Sequence, residues 1–321
     1  MPLWGCMGAD RSEVTARPSP RAVSAGSTVA RMIDRDSIAL DGRYALVTGG
    51  ARGIGRATAE ALARLGASVA ICDRLAPEMA DAASAIEAIG AEVLTAELDV
   101  RDEEAVAAFV AEIGDRWGRL DIVVNNAGGG FFAPVLDVST KGRAALIAEN
   151  FTQVADVTTR CVPLMVEGGS VVNITSIEGH RAGPGFGIYS AMKAGVENLT
   201  RTLALELSQR RIRVNAVAPD MIPTPGDADL AEAAEAMSGA DDWAMMPWPD
   251  EGHPDDVAGA VVWLCSPLSR FVTGTTVHVD GGTSAAAGWK RRSPTSSAEM
   301  RSTEWWRRSA TSPSSEISNA S

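Results

Sequence analysis

The chain has 321 residues, 45% of them hydrophobic and 22% charged, and a formal net charge of -12. The balance is ordinary for a globular protein and supplies apolar material for one large domain or two small ones. The acidity argues against nucleic acid as a general partner, because phosphate binding needs a basic surface.

The four cysteines, Cys6, Cys72, Cys161 and Cys265, are far apart and form no C-x-x-C pair, so neither a disulfide framework nor a metal site is expected. No apolar run reaches the ~18 residues of a membrane span, which predicts no membrane partner and a cytoplasmic protein. Residues 1–37 and 289–321 are Ser- and Arg-rich without sustained periodicity and read as disordered extensions. Residues 38–288 then form a single domain carrying most of the negative charge.

Short β-branched runs alternate there with helix-period segments, as in βαβ units. Strands are predicted over 44–48, 67–72, 92–97, 120–125, 170–175, 212–217 and 275–279. Helices are predicted over 54–65, 77–89, 102–116, 140–165, 187–209 and 254–265. Runs such as Val69-Ala70-Ile71-Cys72 are apolar on both faces, so helices should cover both sides of a doubly wound parallel sheet. Ligands of such α/β sheets sit beyond the carboxyl ends of the strands.

The first strand is followed by Gly49-Gly50-Ala51-Arg52-Gly53-Ile54-Gly55 and a helix. Glycines there permit a tight turn and let a pyrophosphate approach N–H groups at a helix start. Asp73, after the second strand, is placed to accept hydrogen bonds from an adenosine ribose and to repel the extra phosphate of NADP. NAD is therefore favoured, with Arg52 and Arg74 partly offsetting the repulsion. Asp99, after the third strand, reads either as a contact to adenine or as a helix N-cap.

Asn125-Asn126-Ala127-Gly128 closes the fourth strand, Ser176 closes the fifth, and Tyr189-x-x-x-Lys193 opens a helix. Positions i and i+4 share a helix face, so Tyr189 and Lys193 point the same way. A cation about 4 Å from a phenol is worth ~4 kcal/mol at an effective dielectric near 20, enough to make tyrosine a usable acid and base at neutral pH.

Taken together these motifs, with Asn150 and Val279-Asp280-Gly281-Gly282, resemble the single-domain branch of the short-chain dehydrogenase/reductase family over about residues 38–284. The resemblance implies a Rossmann-type sheet of about seven strands, a nicotinamide cofactor and a homotetramer or homodimer. It implies Tyr189 as general acid/base, Ser176 on the substrate oxygen, Lys193 on the nicotinamide ribose and Asn150 as holder of a relay water. The cofactor set it implies is Gly49, Arg52, Gly53, Ile54, Gly55, Asp73, Arg74, Asp99, Val100, Asn126, Ala127, Gly128, Tyr189, Lys193, Pro219, Ile222 and Thr224. One departure is Asp220, where the family commonly has glycine after Pro219; the turn there is expected to differ in shape.

The substrate set is Ser176, Glu178, Phe186, Tyr189, Trp243 and Met246, with His180 either a wall residue or solvent-facing. Residues 221–249 are expected to form a lid, with a short helix at 228–237 and an apolar cluster of Trp243, Met245, Met246 and Trp248. The expected activity is NAD-dependent hydride transfer to or from the CH–OH/C=O group of a small to medium apolar molecule. The alternative is a 3-oxoacyl thioester reductase using NADPH.

Overall fold

The computed structural model describes residues 33–226, 243–244, 246–292 and 306–308. Seven parallel strands form one sheet: β1 (Tyr44–Thr48), β2 (Ser68–Asp73), β3 (Val93–Glu97), β4 (Ile122–Asn125), β5 (Gly169–Ile174), β6 (Ile212–Pro219) and β8 (Thr276–Val279). Their order is β3-β2-β1-β4-β5-β6-β8. Successive strands are added outward on one side of β1 and then, from β4, on the other, and this switch opens a crevice at the carboxyl ends of β1 and β4.

Alternation along each strand explains why both faces are apolar. Ala45, Val47, Val69, Ile71, Ile122, Val124 and Val172 enter one core cluster. Their neighbours Leu46, Ala70, Cys72, Val123 and Val171 enter the other. The first cluster is covered by helices α1 (Gly53–Arg64) and α2 (Ala76–Ile89) and by a later helix, Pro254–Cys265, through Leu62, Ile86, Val261 and Leu264. Helices α3 (Glu103–Trp117), α4 (Thr140–Ile147), α5 (Gln153–Cys161) and α6 (Gly187–Glu206) complete the flanking layers. Phe109 and Ile113 of α3 and Val157 and Cys161 of α5 cover the second cluster.

The expected helix over 140–165 is not continuous. A π turn, Ala148–Thr152, separates α4 from α5. Asn150 Nδ2 donates to Leu146 O at 3.0 Å and to Gly129 O at 2.8 Å, while Gln153 Nε2 donates to Glu149 O at 3.2 Å and Ala127 O at 2.9 Å. These side chains compete for helix carbonyls and tie the opened turn to the loop after β4.

A second, small antiparallel sheet joins β7 (Trp243–Ala244), β9 (Trp289–Arg292) and β10 (Trp306–Arg308). Two stretches of the expected disordered tail therefore lie in strands, held by backbone ladder bonds that composition does not reveal. The expected lid helix at 228–237, Met245 and the side chain of Trp243 lie outside the described residues. No helix among the described residues is long and apolar enough to cross a membrane.

Candidate active site

The glycine turn sits at the β1 side of the crevice. Gly49 and Gly53 adopt φ of 66° and 56°, and Gly49 N and Gly50 N both donate to Cys72 O. A Cβ on Gly55 would lie 2.0 Å from Gly49 O and 2.5 Å from Asn126 Nδ2, so the turn closes only with glycine at 55. Asn126 braces the turn by donating to Thr48 O and Gly49 O at 3.0 and 3.1 Å, and Thr48 Oγ1 accepts from the N–H groups of Asn126 and Ala127. The first turn of α1 has no side-chain cap, whereas α3 and α4 are capped by Asp102 and Ser139. Uncapped N–H groups at that end fit a dinucleotide pyrophosphate.

Asp73 ends β2 beside the turn, with Oδ2 accepting from Ala51 N at 3.2 Å and Oδ1 from Arg74 N at 2.7 Å. Oδ1 also accepts from Leu75 N at 3.3 Å, so it is Oδ2 that keeps a second lone pair for a ribose hydroxyl. Asp99 is not the helix cap; Asp102 takes that place. Asp99 instead binds Arg101, whose hydrogen bonds hold its carboxyl below the usual range. Val100 packs partly buried against the second core cluster.

Tyr189, Lys193 and Asn150 come together beyond the ends of β4 and β5, and Ser176 follows β5 two residues after Ile174. Lys193 is 5% exposed, donates from Nζ to Ile174 O at 3.0 Å, and lies 5.4 Å from the Tyr189 ring centroid. Burial brings its ammonium group down to about 8, opposed by Glu149. Gly128 lets two of these groups meet: a Cβ there would lie 3.0 Å from Asn150 Oδ1 and 3.2 Å from Lys193 Nζ. Ser176 Oγ accepts from Glu178 N at 3.2 Å, which directs a lone pair to the backbone and leaves the hydroxyl proton to donate elsewhere.

Next to Tyr189 stands an aromatic wall only partly foreseen. Phe186 meets Tyr189 edge-on at 6.3 Å and Phe132 at 5.5 Å. Phe131 and Phe132, missed by the sequence reading, are 43% and 41% exposed although large and apolar. Their location just beyond the carboxyl end of β4 was the available signal. Ala133 N donates to Gly185 O at 2.8 Å, joining this loop to the one before α6.

Several expected residues take other partners. Glu178 Oε1 is held by Arg181 at 2.7 Å, and Arg181 also lies 3.7 Å from Asp220. Met246 packs over Gly281, and Ile222 joins the first core cluster. Thr224 covers Gly53, with its Cβ 3.2 Å from the place of a Cβ there, and Pro219 pairs with Val279 at the end of β6. Asp220 does not adopt a left-handed backbone; Met221 does, at φ 51°. The left-handed residue of this turn is thus Met221, a side chain that tolerates that conformation poorly. His180 is exposed to solvent, one of its two expected settings, while its Nε2 lies 2.7 Å from Glu197 Oε1. No cluster of three or more metal-ligating side chains occurs among the described residues.

A family model described as Enoyl-(Acyl carrier protein) reductase matches residues 49–284. The chain is 36% identical to the 3-oxoacyl-(acyl-carrier-protein) reductase of Thermotoga maritima, over 76% of this chain and 98% of that one. It is also 36% identical to a sorbitol dehydrogenase of Cereibacter sphaeroides, again over 76% and 98%. Among solved structures it is similar to carveol dehydrogenase from Mycobacterium avium in complex with NAD, with TM-score 0.71 and 33% identity, covering 77% of this chain and 99% of that one. With a glycine turn, a parallel seven-stranded sheet and these relatives, the chain belongs to the short-chain dehydrogenase/reductase family of oxidoreductases.

Proposed function

We propose that this protein is an NAD-dependent dehydrogenase/reductase that interconverts an alcohol and a carbonyl on a small to medium apolar molecule. The observation that carries the reading is the meeting of Tyr189, Lys193 and Asn150 around Gly128, with Lys193 bonded to Ile174 O just before Ser176 and the Phe132–Phe186 pair standing against Tyr189. When bound, NAD(H) supplies or accepts the hydride at its nicotinamide C4. Tyr189 then gives its phenolic proton to the carbonyl oxygen in reduction and takes it back in oxidation. Ser176 donates a hydrogen bond to the same oxygen and so holds it against Tyr189. Lys193 keeps positive charge beside the phenol below pH about 8, favouring the phenolate after the proton leaves. Asn150 opens the helix at the π turn and presents Oδ1 near the lysine, where a relay water can sit.

The apolar aromatic wall supports a hydrophobic substrate, because exposed apolar patches of this kind usually mark binding surfaces. The exposed side chains of Leu205, Val166 and Phe271 support self-association of this chain, and its buried thiols suit a reducing cytoplasm. A 3-oxoacyl thioester reductase using NADPH is the second reading, favoured by the Thermotoga maritima relative. Asp73 opposes it, since its carboxylate would face the added phosphate.

Cofactor choice tests the first reading. Wild type is expected to use NAD at least about tenfold better than NADP in kcat/KM, a difference of roughly 1.4 kcal/mol that one misplaced charge supplies. Asp73→Ser should narrow the ratio. A wild-type preference for NADP would overturn the Asp73 assignment and favour the second reading. Gly55→Ala should raise the Kd for NADH at least about tenfold, because its methyl group must displace Gly49 O and Asn126. Fluorescence titration of NADH measures this, and an unchanged Kd would remove the phosphate site from the glycine turn.

A further inference from the structure

Glu197 lies one turn beyond Lys193 and two beyond Tyr189, on the same face of α6, and is only 4% exposed. A buried carboxyl group needs partners or a proton. Its Oε1 lies 2.7 Å from His180 Nε2, and the Thr175 hydroxyl is a hydrogen-bond partner. Close as it is to His180, Oε1 meets no hydrogen bond of standard geometry among the described residues.

The surrounding charges come from three elements. Arg201 acts on the pair from α6 itself, Thr175 and His180 belong to the segment after β5, and His278 and Asp280 face His180 from β8 and its turn. The His180 and His278 rings are 4.4 Å apart and tilted.

This cluster is joined mechanically to the reacting groups. Gly179 N donates to Ser176 O at 2.9 Å and His180 N to Ile177 O at 2.8 Å, so one tight turn links Ser176 to His180. The turn rests directly on the helix, because a Cβ on Gly179 would stand 2.8 Å from Glu197 Oε1 and 3.1 Å from Ala194 N. Thr175, the residue before Ser176, has one hydroxyl proton and two acceptors in reach, Glu197 and Val217 O at 3.0 Å.

We propose that Glu197 and His180 form a proton-sharing clamp that sets the position of Ser176 on the helix bearing Tyr189 and Lys193, which makes Glu197 a positioning residue. When the pair takes one proton from solvent, the carboxyl group changes from acceptor to donor. The Thr175 proton is then released from Glu197 to Val217 O, and the Ser176 turn settles in its reacting position. Burial raises the Glu197 carboxyl to about 7 and pulls His180 below its ordinary value, so the exchange falls in the neutral range.

The clamp rests on the reading of Tyr189 and Ser176 as the reacting pair, and two measurements separate the claims. The chain contains only three histidines, so imidazole NMR resonances are assigned by substituting His253 and His278 in turn. In Glu197→Gln the His180 titration midpoint is expected to move by at least about half a pH unit, with no substrate required. For turnover, Glu197→Gln should lower kcat about three- to tenfold and erase an inflection near pH 7, while the KM for the cofactor stays within about twofold. His180→Asn changes the more exposed partner, is expected to fold normally, and should erase the same inflection. Unchanged His180 titration in Glu197→Gln overturns the clamp whatever the activity, and a shifted titration with superimposable pH–rate profiles overturns its link to Ser176. If Tyr189→Phe retains full turnover while the NMR shift is present, the reading of the reacting pair fails and the clamp's catalytic role fails with it.

Discussion

Replacing Tyr189 by phenylalanine is expected to lower kcat at least about a hundredfold while leaving the Kd for NADH within about twofold, because general acid–base catalysis is worth roughly that factor or more. The substitution removes one oxygen and keeps the ring. Phe186 can still meet the ring edge and Lys193 can still lie over its face, so the wall and the helix persist. The glycine turn is built by Gly49, Gly55, Thr48 and Asn126 and involves no atom of Tyr189. Loss of turnover with intact binding would therefore locate the defect in proton transfer. Retention of more than about a tenth of kcat would overturn the assignment of Tyr189 as acid and base.

Lys193→Met is expected to separate activity from stability. Lys193 is enclosed on all sides, and burial draws its pKa from 10.5 down to about 8. The folded value lies below the unfolded one, so the buried cation destabilises the fold; this penalty is complete below pH about 8 and fades as pH rises toward 10.5. It amounts to something on the order of 3 kcal/mol at neutral pH. Methionine removes the charge, fills much of the same space, and leaves Ile174 O without its 3.0 Å donor, which takes back about 1 kcal/mol. The cofactor-free variant should therefore be more stable at pH 7 by about 1–2 kcal/mol, a rise of a few degrees in Tm, and nearly inactive. Thermal unfolding at pH 7 and at pH 9.5 checks both the size and the sign. The advantage of the variant must shrink at the higher pH, and a variant less stable than wild type at pH 7 would show that the lysine is not a stored cost.

The fold was legible because its information is local. Alternation within five- and six-residue runs such as Tyr44–Thr48 and Ser68–Asp73 places side chains on two faces, and both faces being apolar already implies helices on each side. The glycine turn and the Tyr189/Lys193 spacing are local in the same sense. What escaped depends on contacts between distant segments. The π turn exists because Asn150 reaches Gly129, which lies on another element. The His180–Glu197 contact joins a loop to a helix that no periodicity relates. The turn after Pro219 was expected to differ in shape, but not which residue would be left-handed; Met221 is, next to Asp220 whose N–H is held by Val279 O of the neighbouring strand at 3.1 Å. Composition likewise missed β9 and β10, whose pairing is a matter of backbone register.

In the proposed reaction this chain transfers hydride to a carbonyl carbon while Tyr189 delivers the proton to oxygen. The most direct test is the fate of deuterium from NADH labelled at the nicotinamide C4, incubated with wild type or Tyr189→Phe and a panel of apolar ketones and α,β-unsaturated ketones. Deuterium is expected on the carbinol carbon of the product with wild type, and at least about a hundredfold less product with Tyr189→Phe. Deuterium on the carbon β to an intact carbonyl, or equal product from the two proteins, would contradict the proposed reaction.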